Sequence, residues 1–515
     1  MFSDNYPTPG VPPQPRLASD HRNEDHNARA YASAFGEGRF QPRLLFSTVV
    51  AGAISLVQLS IFRLSTREMD HRCMRPPAYS ELSVESWKQL AIPRDDDGNY
   101  SRCTVRNPPE GGPSAQVVHC SEWEFDLSEY GNSVVSEWSL VCHRSYLKDI
   151  AASVNFVTAV VALLVIGAAA DRIGRKTVTV VHFVAPLRTL VCSGLARDFR
   201  TFAATQAAVT ATSRSYFVLY VILYEVTSPS RRILYCTAVV AFTTTFAPVF
   251  VFLVDSFKIS WYWSLLIVAA LSSVLLATFY VLEESPVWLL ETRYTEQSER
   301  VVVKAANVNA SSLSLRAATV QEAATEHGAK SAFHNEGTCR ELEFRTWSKE
   351  VFSAPRVYTG RHQRRSWPLY RRAMHPRQQL RACGNSIGLI PLFLVVLTFL
   401  QKGRFLKEAV VACTLVRATA CASLFLHFSG ELTLLGSVLM VIVRLSINAA
   451  AVIAFYLSTS LYPTPSRCFG LGTCYAFAVI GNMGDFYFFS SVLANHEDYG
   501  FGIMPLLLAL ASIAI

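Results

Sequence analysis

Four ionisable side chains stand inside runs of sequence that are otherwise apolar. Arg214 lies in the middle of one run, Arg417 and Arg444 in two others, and Asp485 in a fourth. Charge is costly in hydrocarbon, so such a group either pairs with another or lines the path of a charged solute. The chemistry on offer is recognition of an ion, not bond making. A second set is clustered: Gly167, Asp171, Arg172, Gly174, Arg175 and Lys176, in the string GAAADRIGRK, fall at a turn between two apolar runs. Asp171 can accept from a neighbouring helix terminus or an arginine, and Gly174 permits a tight turn. Arg172, Arg175 and Lys176 are expected to hold the turn on an anionic lipid surface. Tyr216, Tyr220 and Tyr224 recur every four residues, a stripe on one helical face. Such a stripe can offer ring faces to an organic cation or pack against its neighbours.

Bond-making chemistry finds no support. There is no glycine-rich phosphate loop, no HExxH and no GxSxG, and the histidines show no metal-ligand spacing. No catalytic residue, cofactor or metal is expected.

The elements that position these residues read as membrane spans. Hydrophobic residues make up 51% of the chain and charged ones 17%, against about 25% charged in a soluble domain. The charges cluster, leaving apolar stretches long enough at about 1.5 Å per residue to cross about 30 Å of hydrocarbon. Their backbone groups must be satisfied internally, so they are predicted to be helices. The spans expected are 44–64, 151–170, 178–196, 202–224, 233–254 and 261–282, then 385–400, 409–428, 434–457, 468–493 and 501–515. The implied architecture is an all-α, polytopic bundle in two halves. Residues 1–42 form a polar cytoplasmic tail without a signal peptide, expected to be disordered, and 43–282 a six-helix half with a cysteine-bearing outer loop at 65–150. Residues 283–383 make a basic cytoplasmic loop, and 384–515 an incomplete second half.

Charge sets the orientation. With the tail inside, the inner loops 171–176, Arg231–Arg232 and the central loop are basic, as the positive-inside rule requires. From Arg356 to Arg381 the central loop carries eight arginines. The net charge of +8 therefore anchors the chain to the bilayer, and nucleic acid is not an expected partner. Past the central loop the signs invert: basic Lys402, Arg404 and Lys407 would face outside and Glu431 inside. One more span before Asn385 restores them. A span is therefore expected to be lost or replaced between 357 and 382, and the last one, ending at Ile515, to be short.

The outer loop holds Cys73, Cys103, Cys120 and Cys142. An oxidising compartment makes disulfides of them, with three connectivities open; they lack the CxxC pairs of a zinc site. Asn99-Tyr100-Ser101 is a sequon, expected to be glycosylated, whereas Asn309-Ala310-Ser311, on the inner side, should stay bare.

The run CSEWEFDLSEYGNSVVSEWSLVCHR from Cys120 resembles the end of the first outer loop in the organic cation, anion and zwitterion transporter family (solute carrier 22 type) of the major facilitator superfamily. Trp123, Asp126, Ser128, Glu137, Trp138, Leu140, Val141, Cys142 and Arg144 carry the match. GAAADRIGRK is similar to the superfamily's loop motif. Glu284, Ser285, Pro286 and Trp288 are similar to its ESPRWL, with Val287 in place of the arginine. Glu225 with Arg231 is similar to the charged exit of span four, and Tyr462, Pro463 and Arg467 to the LYPTxxR segment, with Ser460 where a glutamate is usual. In QKGRFLK, Gly403 and Arg404 are all that remains of the second-half loop motif.

The resemblance implies a secondary transporter of small organic ions working by alternating access, in the plasma membrane with its N-terminus inside. Its substrate cavity would be lined by Arg214, Tyr220, Arg444, Val479 and Asp485. Val479 stands where the family separates ion classes by charge, so that position is silent. Partners would be the solute, the bilayer and a second copy meeting through the outer loop. Two other readings stay open: a transport-deficient or regulatory product of a damaged or mis-spliced gene, and a sugar-type facilitator.

Overall fold

In this computed structural model the described residues are 38–309, apart from 68, 96, 97, 129, 130 and 281, and 452–491, with 416, 442, 446 and 449. Among them, four helices are long and apolar enough to cross a membrane. These are α1 (Phe40–Ser65), α4 (Tyr146–Ile173, with the preceding turn from Cys142), α5 (Arg175–Gly194) and α8 (Pro229–Ser256). Between α1 and α4 lie two short helices, α2 (Val84–Ala91) and α3 (Val134–Glu137).

The stretch expected as one fourth span is two helices, α6 (Phe199–Thr212) and α7 (Tyr216–Val226), joined by a tighter turn at Ser213–Ser215. Hydroxyl side chains crowd the break. Thr212 and Ser213 hydroxyls donate back to the carbonyls of Ala208 and Val209 at 2.9 and 2.7 Å, and such back-bonding bends helices. The sixth span runs as α9 (Trp261–Ser273) and finishes as a 3₁₀ helix over Val274–Tyr280.

The central loop also begins as structure rather than loop. Residues 286–308 form α10 (Pro286–Glu291) and the amphipathic α11 (Thr295–Val308), which buries Val302, Ala305 and Ala306. Ser285 caps α10 by accepting from the Trp288 N–H, with Pro286 at the first helical position. Asn309 then caps α1, its side-chain oxygen accepting the Phe40 N–H at 2.8 Å. From the second half come α12 (Val452–Leu461) and α13 (Arg467–Ser491). The segments 385–400 and 501–515, nearly all of 409–428, most of 434–457 and the basic run 356–381 lie outside the described residues. So does the expected loss of a span.

Two apolar cores fill the bundle. One unites Leu44, Leu163, Ile166, Phe217, Tyr220, Leu471 and Tyr475 from both halves. The other gathers Val57, Ile61, Leu190, Phe202, Trp261 and Leu265 beneath the residues between α1 and α4. Buried polar pairs stitch helices together: Gln58 donates to Ser272 at 2.8 Å and Gln206 to Ser193 at 2.9 Å, the kind of contact that holds helices where hydrophobic packing gives no preference.

Residues 70–144 form a small subdomain at one end of the bundle. Strands β1 (His71–Cys73) and β4 (Trp123–Phe125) pair antiparallel, as do β2 (Thr104–Asn107) and β3 (Gln116–His119). Disulfides join Cys73 to Cys120 and Cys103 to Cys142. His71 lies near the second pair, but those sulfurs are bonded to each other and are not metal ligands in this form. Arg72 and Arg75 both hold Glu124, at 2.7 and 3.0 Å. The Trp123–Arg144 run fastens the subdomain to the bundle. Trp138 packs 5.2 Å from Trp261 and 5.6 Å from Phe202, and the Trp261 N–H donates to the Asn132 carbonyl at 3.1 Å.

Candidate functional site

The end of the bundle opposite the subdomain carries a buried charge network. Its first member is Asp171, in the last turn of α4. The carboxylate accepts the backbone N–H of Phe469 at 2.7 Å and of Cys468 at 3.2 Å. Those are orphan donors in the first turn of α13, where the helix dipole also favours a negative charge. The fit needs close backbone approach. One turn before Asp171, a Cβ on Gly167 would lie 2.7 Å from the Cys468 carbonyl oxygen. Glycine is the residue that permits it.

Arg175 follows Asp171 by one turn, and its side chain is 0% exposed. The guanidinium donates to the Thr464 carbonyl at 2.7 Å and pairs with Glu225, at the end of α7, and with Asp171 at 3.7 Å. It is therefore not at a lipid surface, contrary to the expectation from sequence. Burying a guanidinium is costly, and the carboxylates of Glu225 and Asp171 with the Thr464 carbonyl are the partners that offset the cost here. Of the other two basic residues, Arg172 is exposed and Lys176 pairs with Glu283 at 3.3 Å.

Glu225 also pairs with Arg467 and accepts the Ser285 hydroxyl. Glu284 completes the set by capping α5, accepting the N–H groups of Arg175 and Lys176 at 3.1 and 3.0 Å. Gly174 makes this cap possible: its φ is +103°, and a Cβ there would fall 2.7 Å from the Glu284 carboxylate. The Trp288 indole donates to the Asp171 carbonyl at 2.9 Å. Four motifs from 167–176, 225, 284–288 and 462–467 thus meet in one place. Tyr462 adds its carbonyl to Arg467 at 3.1 Å, and Pro463 leads into the short turn Thr464–Ser466. Arg231 is exposed, while its neighbour Arg232 lies over the Tyr224 ring at 4.5 Å.

The cavity candidates fare differently. Tyr220 is buried, its hydroxyl donating to Cys236 and its ring 5.0 Å from Phe455. Val479 is buried within α13. Arg214 sits in the turn that breaks span four. Asp485 falls in α13, with its side chain outside the described residues, as are Arg417 and Arg444. Asn99 is exposed on the subdomain. The sequence reading missed Asn155 and Tyr475, which carry no charge, and Arg188, which is exposed within α5. The signal for Arg188 was present: it is an ionisable residue inside a predicted span.

No family model matches the chain. Among curated proteins, solute carrier family 22 member 7 of Rattus norvegicus is 28% identical over 264 residues, 46% of this chain and 48% of its own length. The chain thus spans about half the length of that relative. The beta-alanine transporter of Drosophila melanogaster is 25% identical over 484 residues, 85% of this chain and 76% of the relative. Among solved structures, the proton:xylose symporter XylE superposes with a TM-score of 0.61 at 13% identity, covering 92% of this chain and 94% of that one. These relatives are transporters, not enzymes. The chain is a multi-pass membrane protein with the major facilitator fold, and its relatives are the organic ion transporters of solute carrier family 22.

Proposed function

We propose that the chain is a secondary carrier of small organic ions that works by alternating access, with the charge network as the lock of one access state. One observation carries this reading. Asp171, Arg175 and Glu225 of the first half hold the start of α13 and the turn before it in the second half, Asp171 and Arg175 through hydrogen bonds and Glu225 through its ion pair with Arg467, contacts that a rocking motion breaks without unfolding either half. A lock that exists in one state biases the equilibrium between the two.

In this reading the lock end faces the cytoplasm and the disulfide-bonded subdomain faces outward at the plasma membrane, with Asn99 glycosylated. Arg444 and Asp485 keep their place on the substrate path, and two copies meet through the subdomain. An organic ion is preferred to a sugar because the relatives by sequence carry names such as beta-alanine transporter, whereas the likeness to the xylose symporter is one of fold.

The test is uptake of a labelled organic cation, an organic anion and carnitine by cells expressing this chain, with surface biotinylation as control. Saturable uptake of any member, lost in Arg444→Ala, supports the carrier. Full surface expression without uptake of any organic ion favours the transport-deficient product.

A further inference from the structure

The break in span four places an arginine where lipid-embedded proteins rarely leave one unpaired. Counting from Phe199 to Val226, Arg214 is fifteen residues from one end and twelve from the other. At about 1.5 Å per residue it lies near the bilayer midplane. Its Nε is buried and has no hydrogen-bond partner. The groups close enough to act on its charge are Tyr216, Tyr475 and the like-charged Arg63; among the described residues there is no carboxylate in that set. One turn earlier, Thr210 donates weakly to the Asn155 side-chain oxygen at 3.5 Å, and the Asn155 Nδ2 is a second buried donor without a partner. Both residues keep part of their surface open. Beside them the Tyr216 hydroxyl donates to that of Tyr475 at 3.4 Å, and the Tyr475 ring packs 5.9 Å from Phe217 and 4.8 Å from Phe455.

Unsatisfied buried donors are costly, most of all charged ones. A cluster of them at midplane, on a broken helix, is the arrangement in which carriers hold a solute. We propose that this break is the substrate anchor and that it takes an organic anion. The carboxylate or sulfonate is held by Arg214 and Asn155, and a flat apolar body lies against the half-buried Tyr216 ring, which Tyr475 backs. A guanidinium presents paired N–H groups that match such an anion, whereas a cation in the same place meets the charges of Arg214 and Arg63. The inference rests on the carrier reading and narrows it to one charge class.

The test measures binding to the purified full chain, by thermal stabilisation and by competition with labelled benzoate. The probes are benzoate, benzenesulfonate and the cation benzyltrimethylammonium. Saturable stabilisation by the two anions and not by the cation is expected. Arg214→Gln should weaken the anions by about thirtyfold or more, Arg214→Lys by less, and Asn155→Ala by about tenfold, the net worth of one hydrogen bond to a charged group. Arg300→Gln, on the exposed face of α11, should change nothing. Preference for the cation overturns the proposal, and so does anion binding unchanged in both Arg214→Gln and Asn155→Ala; either result leaves the carrier reading standing. If no organic ion of either sign binds here and none is taken up by cells, both fall together.

Discussion

The carboxylate of Asp171 accepts the first-turn N–H groups of a helix that begins almost 300 residues later in the chain, at Phe469 and Cys468. Nothing else in the last turn of α4 does this. The bond is charge-assisted and runs between halves, so under the proposed alternating-access function it belongs to one access state and breaks in the other.

Asp171→Asn should therefore loosen the lock. A hydrogen bond to a charged group contributes about 1.5–3 kcal/mol, roughly a tenfold to hundredfold change in population. The Cys468 thiol, buried behind the lock, should react correspondingly faster with a membrane-permeant maleimide, as read by mass spectrometry of its peptide. An unchanged rate would mean that Asp171 does not govern opening.

Glu225 faces a harsher substitution. It neutralises two arginines, one of them wholly buried. Glu225→Gln leaves the buried Arg175 with only the longer Asp171 pair at 3.7 Å; breaking a buried pair costs about 3–5 kcal/mol. Ser285→Ala removes a single hydroxyl bond to the same carboxylate, about 1 kcal/mol. Thermal melting of the purified chains should show a large loss for the first and a small one for the second; equal losses would argue against a charge-centred role.

The subdomain should respond to acid through Glu124. Its hydrogen bond from Arg72, helped by the charges of Arg72 and Arg75, holds the carboxyl below its ordinary value of 4.5, against partial burial that works the other way. A group whose folded pKa is depressed stabilises the fold above the unfolded value and stops doing so as pH falls through the folded one. Protease resistance of the subdomain should be flat near neutral pH, then fall below about pH 4.5. Glu124→Gln should be less resistant at neutral pH and flatten that acid limb; a wild-type slope in the variant would assign the acid response to other groups.

Cys73–Cys120 and Cys103–Cys142 are two of the six pairs that four cysteines can form. Non-reducing peptide mapping should recover those two crosslinks. Removing one as a Cys→Ser pair should cost the subdomain about 2–5 kcal/mol, seen as earlier proteolysis within residues 70–144 while the bundle helices remain protected. Recovery of a Cys73–Cys103 peptide would contradict the pairing.

Much of this was legible in the amino-acid order. Apolar length and charge clustering determined where helices cross, because backbone polar groups in lipid leave no cheaper choice. The spans expected from composition at 44–64, 151–170, 178–196 and 233–254 fall within or largely overlap the helices at 40–65, 146–173, 175–194 and 229–256. The motif residues were legible too, each as a local string. What local strings cannot carry is distance: Asp171, Glu225, Glu284 and Arg467 are hundreds of positions apart at the extremes, and only the packing of α4 against α13 brings them together. That packing also reversed the reading of Arg175, since it encloses the guanidinium and supplies buried carboxylates to offset its charge. The break at Ser213–Ser215 was hidden for a related reason. The run is apolar enough to span as one helix, and only the folded bundle shows the tighter turn at Ser213–Ser215 and the unfilled donors of Arg214 and Asn155.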